Sequence, residues 1–284
     1  MKLSRRGIRK LILMGSIVVL CAAFGGFAEA GQGLIGYWPF DTGGADQSGG
    51  GRDLTLANGA GLANGLFGGA LDLHDNGSQY AARPGDDDIY DFGLGDFTIQ
   101  IWANFNNKYR EQTLIEKFWG GGGPGWTLTK LDGDALHFWA NPTVAFSSAS
   151  LAIPSNVWHQ FVLRRSGELY QIIYDGAVVA EGAGPGAVPD TTMPLVIGKR
   201  NDYDGRDFAV DGRIDETAIW SRALSDNEIS WLYNQGKGNA VPGLGNGDCD
   251  DDDNDHDDGN DHHHKKKHRD GRGKQGKGHD EHDE

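Results

Sequence analysis

Between residues 97 and 105 the chain alternates strictly. Phe97, Ile99, Ile101, Ala103 and Phe105 are apolar, while Thr98, Gln100, Trp102 and Asn104 take the even places. A period of two sends these sets to opposite faces of an extended strand, so the segment predicts a strand half-buried against a core. Shorter strand-like runs recur at 34–40, 127–131, 135–140, 158–164, 169–174, 177–180, 195–197 and 213–220, bounded by Gly, Asp, Asn and Pro. Asp175-Gly176 joins two of them, and a tight hairpin turn needs the positive φ that glycine tolerates. Asp132-Gly133 and Asp211-Gly212 read the same way. The 45 glycines in 284 residues are thus largely turn chemistry, and they lack the three-residue period of collagen. Many short punctuated strands predict an all-β sandwich over residues 31–238.

One helix interrupts the strands near the end of this body. Ser225-Asp226-Asn227-Glu228 is a capping box, with Leu224 and Ile229 placed as its hydrophobic staple. Ile229, Leu232 and Tyr233 form the apolar face, and Gly236 or Gly238 is expected to end it. Trp102 has the parity of the polar face of its strand and is expected on the far side of its sheet.

The two ends are different polymers. Lys2, Arg5, Arg6, Arg9 and Lys10 precede the apolar run 11–27, and Ala28-Glu29-Ala30 is a small-x-small cleavage site. Residues 1–30 therefore read as a signal peptide, which implies a secreted, periplasmic or cell-surface protein. The twin-arginine and general export routes both stay open. Residues 239–247 read as a linker. From 248 to 284 there are 14 acids, 7 Lys/Arg and 7 of the 10 histidines, with no large apolar side chain. Such a segment cannot bury enough apolar area to offset chain entropy, so disorder is expected. Cys21 and Cys249 are the two cysteines, too few for a disulfide framework. Lys plus Arg is 26 against 41 for Asp plus Glu, a net charge of −15, which argues against nucleic acid as a partner.

Eight motifs then follow in order. They are Gly36-Tyr37-Trp38-Pro39-Phe40-Asp41, Ala70-Leu71-Asp72-Leu73, the strand opening at Asp96-Phe97, Trp158-His159-Gln160-Phe161, Tyr174-Asp175-Gly176, Pro194-Leu195-Val196-Ile197-Gly198, Gly212-Arg213-Ile214-Asp215-Glu216 through Trp220, and Ser221-Arg222-Ala223-Leu224-Ser225. In this order they resemble the laminin-G-like modules of the concanavalin A-like lectin and glucanase superfamily, over roughly residues 33–237. The resemblance implies two antiparallel sheets in a jelly roll, one of them concave.

The superfamily also holds glucanases, whose carboxylates share a strand in a pattern like Glu-x-Asp-x-x-Glu. None of Glu111, Glu116, Glu168, Glu181, Glu216 or Glu228 sits in that pattern. Glu111 and Glu116 are five apart, on opposite faces of a regular strand, and Glu228 caps the helix. No catalytic residue is assigned. Related modules often hold a structural calcium ion where first and last strands meet, and the matching residues here are Asp41 and Asp215. Two readings of that pair stay open: a calcium site, or Asp41 capping a turn while Asp215 accepts backbone hydrogen bonds. Asp86-Asp87-Asp88 reads as a solvated turn or an ion site.

Sugars are held by aromatic faces and planar polar side chains. Trp38, Trp139, Trp158, Trp220 and Trp231 read as core. Trp119 and Trp126 flank the glycine-rich loop 120–125, and Asn201, Asp202, Tyr203 and Asp204 lie in a second polar and aromatic loop. These two loops form the candidate ligand rim. In the tail, His262, His263 and His264 with the acids 250–253 could hold a divalent metal weakly. The expected function is a secreted, non-catalytic module recognising carbohydrate or an extracellular partner, and not an integral membrane protein once the leader is cleaved. A glycoside hydrolase and a metal-capturing tail are the alternatives.

Overall fold

The computed structural model describes residues 30–74, 78–107, 109–201 and 208–242. The chain divides into two units, 1–245 and 246–284, and every described residue belongs to the first. The leader, Cys249 and the tail histidines lie outside the described residues.

Along the chain run β1 (Leu34–Trp38), β2 (Thr55–Ala57), β3 (Gly61–Asn64), β4 (Gly69–Leu73) and β5 (Tyr80–Ala82). Then come β6 (Phe97–Phe105), β7 (Gln112–Phe118), β8 (Gly125–Lys130), β9 (Leu136–Ala140) and β10 (Val144–Ser147). The last strands are β11 (His159–Ser166), β12 (Leu169–Tyr174), β13 (Ala177–Ala183), β14 (Val196–Ile197) and β15 (Gly212–Trp220), followed by α1 (Asp226–Tyr233). They form two antiparallel sheets. One has eight strands in the order β13-β12-β11-β6-β15-β4-β3, with β1 also paired to β15; the other has seven, β10-β9-β8-β7-β14-β5-β2. The architecture is a jelly-roll sandwich with one short α-helix.

The alternation of β6 explains its place between β11 and β15. Phe97, Ile99, Ile101, Ala103 and Phe105 are all fully buried in the core between the sheets, packed against Leu71, Leu128, Phe138, Phe161 and Ile214. The even residues face outward. Trp102 is nonetheless fully buried, because α1 lies over this face and Tyr233 stacks on the indole at 6.1 Å. Leu224, Ile229, Leu232 and Val241 complete this second cluster with Tyr37, Val162, Ile173, Ala218 and Trp220.

The capping box forms: Glu228 N donates to Ser225 Oγ at 3.3 Å, and Ser225 N donates to Glu228 Oε2 at 2.7 Å. The helix stops earlier than expected from the glycines. Asn234 itself takes the left-handed conformation, φ 45°, and caps the last turn. β1 likewise ends at Trp38, before the expected 40, because Phe40 has φ 57°. The sequence reading has no counterpart for β7, whose seven residues are all buried. Its register slips between Thr113 and Ile115, and that bulge breaks the period of two.

Candidate functional site

The outer face of the seven-stranded sheet is built from alternation. In β9, Leu136, Phe138 and Ala140 enter the core, so His137 and Trp139 must face out, and both are half-buried. Their cross-strand neighbours are Thr129 and Thr127 on β8 and Ser147 and Ala145 on β10. His137 Nδ1 and Ser147 Oγ are 2.8 Å apart. Burial, aided by the Arg200 charge, holds His137 below the ordinary imidazole value, so the ring is neutral near pH 7. Phe118 meets Trp139 with ring centres 5.1 Å apart.

The bulge in β7 changes the reading of Glu116 within the strand and of Glu111 just before it. Glu111 and Glu116 were expected on opposite faces; instead one guanidinium reaches both, with Arg200 Nη2 3.4 Å from Glu111 and Nε 3.8 Å from Glu116. Arg200 also lies 4.4 Å over the Phe208 ring. Asn201 N donates to Glu116 Oε1 at 2.5 Å, and its side-chain amide donates to Phe118 O at 3.4 Å. That amide ties Asn201 to the end of β7, where the next residue is Trp119, 38% exposed. Beside Trp119 the loop 120–123 is held by Asn141, whose amide donates to Gly122 O. Trp119 and Asn201 are thus brought to one end of the sheet.

Trp126 is not there. It is fully buried, its Nε1 donates to Tyr90 O at 2.9 Å, and it packs against Phe92 at 5.4 Å. An indole enclosed in the core touches no external ligand, so its assignment to the rim is withdrawn. Asp202, Tyr203 and Asp204 lie outside the described residues. Trp139, read as core, is the residue missed. The apolar alternation of Leu136, Phe138 and Ala140 already placed it, with His137, on the opposite face.

Asp41 and Asp215 converge on one feature, the turn joining β3 to β4. Asp41 Oδ1 accepts from Gly69 N at 2.8 Å. Asp215 Oδ2 accepts from Leu66 N at 2.7 Å and Phe67 N at 3.2 Å, and its Oδ1 from Glu216 N at 2.7 Å. The approach needs glycine: a Cβ on Gly68, φ +46°, would stand 1.9 Å from Asp41 Oδ1, and one on Gly65 2.4 Å from Asp215 Oδ2. These contacts are those of the second reading of the pair, with Asp41 holding the turn and Asp215 accepting backbone hydrogen bonds. Glu216 stands alongside, its Oε2 accepting from Tyr37 Oη at 2.8 Å. Burial, then the neighbouring carboxylate, pushes Asp215 up to about 7, and burial pushes Glu216 up to about 7.

Asp86, Asp87 and Asp91 each have a local partner, and Asp86, Asp88 and Asp91 bring carboxylate oxygens within 4.8 Å of one another. Fully buried Lys117 donates from Nζ to Asp86 at 2.8 Å and Asp91 at 2.7 Å, while Asp87 caps a turn at Ile89. Among the described residues no helix is long and apolar enough to cross a membrane.

No curated protein matches the sequence. The fold is similar to the binding domain of Paraclostridial Mosquitocidal Protein 1, with TM-score 0.58 and 17% identity over 73% of this chain and 53% of that one. The chain thus spans about half the length of that toxin domain. It is similar to domain 4 of a GH43 extracellular arabinanase from Geobacillus stearothermophilus, solved with arabinotriose, at TM-score 0.55 and 17% identity over 69% of this chain and 96% of that domain. It also resembles the binding domain of botulinum neurotoxin DC in complex with SialylT, at TM-score 0.53 and 14% identity over 72% and 52%. Residues 75–230, more than half of the chain, match the family model of the concanavalin A-like lectin/glucanases superfamily, and the chain belongs to that family.

Proposed function

We propose that this is a secreted, non-catalytic carbohydrate-binding module whose glycan sits at the end of the seven-stranded sheet marked by Trp119, Trp139 and Asn201. One observation carries the reading. Trp139, half-buried and backed by the enclosed Phe118 ring, offers an aromatic face near a planar amide and a neutral imidazole, which together match the C–H face and hydroxyls of a sugar. That an arabinanase domain and a neurotoxin domain of like fold were each solved with a glycan supports it. The basic, apolar and small-residue run of 1–30 supports export.

Glycoside hydrolysis is the second reading, favoured by the bulge that gathers Glu111 and Glu116. A retaining dyad needs one carboxyl protonated and about 5–5.5 Å from the other. Here Arg200 lies against both carboxylates and Asn201 N occupies Glu116 Oε1, so the two acids are engaged in structural contacts. The test is a glycan array and a reducing-sugar assay on the full chain. Binding that disappears in Trp139→Ala, with no sugar released, is expected. Sugar release abolished by Glu116→Gln would replace binding with hydrolysis, and an array without any bound glycan would remove the carbohydrate reading.

A further inference from the structure

A second cleft lies on the opposite side of the sandwich, where α1 crosses the eight-stranded sheet. Three cavities follow the helix. The first, about 630 Å³, opens beside Arg164 and Arg222; the second, about 300 Å³, is floored by Ile173, Val178 and Ile229; the third, about 390 Å³, ends among Trp231, Tyr233 and Asn234. Asp226 lines the first and second, and Gly176 and Ser230 line the second and third, so the three form one groove.

Charge narrows what could fill it. Arg164 meets Asp226 at 2.7 Å and Arg222 is paired with Glu228, so the cationic end is neutralised from within. At the far end Asp175 is the single charged residue lining the third cavity. An anionic ligand would meet that carboxylate with no cation to balance it. The remaining groups are hydroxyls, planar amides and rings. Asn239 Nδ2 donates to Trp231 O at 2.6 Å and Asn234 Nδ2 to Gly238 O at 2.9 Å, which fixes both amide planes.

Rings at one end, an apolar floor in the middle and fixed amides alongside suit a chain of hydroxyl-rich rings with apolar C–H faces.

We propose that this groove is a second glycan site, taking a short run of neutral sugar residues. It shares no residue with the site at the end of the seven-stranded sheet, so it goes beyond that reading.

The test is ¹⁹F NMR of the full chain carrying fluorotryptophan, titrated with neutral oligosaccharides: cellohexaose, xylohexaose, mannohexaose and linear arabinan fragments. The Trp231 resonance, assigned with Trp231→Phe, is expected to shift saturably at millimolar sugar. Ser230→Phe, which plugs the groove from an exposed helix position, should weaken that shift about tenfold, while Trp139→Ala leaves it unchanged. Gln235→Ala, also exposed, repeats the comparison if Ser230→Phe is unstable. A Trp139 resonance that moves while Trp231 stays still overturns this proposal and leaves the other site standing. If no resonance moves, both fail. If an uncharged extended peptide moves Trp231 where no sugar does, the groove is a peptide site and the glycan assignment is wrong.

Discussion

The outer faces of the two sheets are alike in origin and opposite in fate. Each is the set of side chains that alternation turns away from the common core. The eight-stranded sheet covers much of its set with its own chain: Trp220, Val162, Ile173 and Ala218 lie under Leu224, Ile229, Leu232 and Val241. The seven-stranded sheet has no helix over it among the described residues; in its set Thr113, Thr127 and Thr129 are fully buried beside an ionic cluster around Arg200, and only His137 and Trp139 stay half-buried. Alternation therefore says which residues turn outward, and a segment distant in sequence decides which outward face becomes core. The helix-covered face contributes stability, whereas on the other face the half-buried His137 and Trp139 are the residues of that strand left open to a ligand.

Two tryptophans put that contrast to its sharpest test. Trp220 is fully buried under α1, and its Nε1 donates to Ala30 O at 2.6 Å. Trp220→Ala is expected to cost about 3–5 kcal/mol in urea unfolding. Trp139→Ala, on the half-buried face, should cost well under half as much and should instead abolish glycan binding. Equal losses of stability would mean that the two faces are both core.

This pairing also shows what was legible in the sequence. The strand at 97–105 and the capped helix were readable because their signals are local: a period of two, and a serine three residues before a glutamate. The motif order gave the sandwich. The same alternation in β9 turns His137 and Trp139 outward, whereas the core reading rests only on Trp139 lying in a strand. β7 was opaque for a physical reason. Its bulge places both Glu111 and Glu116 at Arg200, and no periodic rule anticipates one inserted residue. Trp126 misled because proximity to a glycine-rich loop says nothing about which side of the strand a side chain leaves.

Asp215 gives the next largest effect, because it belongs to the covered side. Asp215→Ala leaves the amides of Leu66, Phe67 and Glu216 without their acceptor, at about 1–3 kcal/mol. With the pair serving as backbone acceptors, EDTA should leave the wild-type melting temperature unchanged. A melting temperature that falls on chelation, and falls less in Asp215→Ala, would restore the calcium reading.

A pH series tests the same corner. Asp215 and Glu216 are raised to about 7 in the folded state, from 3.8 and 4.5. The folded chain then holds protons that the unfolded chain has lost. This stabilising contribution is complete below pH 4 and disappears as pH rises through 7. The melting temperature should therefore climb from pH 8 to pH 5. In Glu216→Gln, whose amide oxygen can still accept from Tyr37, the climb should flatten. An unaltered slope in that variant would assign the pH dependence to other groups.

The smallest expected effect asks how independent the two faces are. Ser225→Ala removes the cap of α1, worth about 1 kcal/mol. The loss should be local, because the acceptor for Glu228 N goes while Leu224 and Ile229 stay buried against the sheet. Amides of the first helical turn should exchange faster with deuterium, and protection in β8 and β9 should not change. Glycan affinity at Trp139 should also hold, since the whole core between the sheets separates it from the helix. A matching loss of affinity would show that the cover on one sheet sets the shape of the other, and the division between a stabilising face and a recognising face would fail.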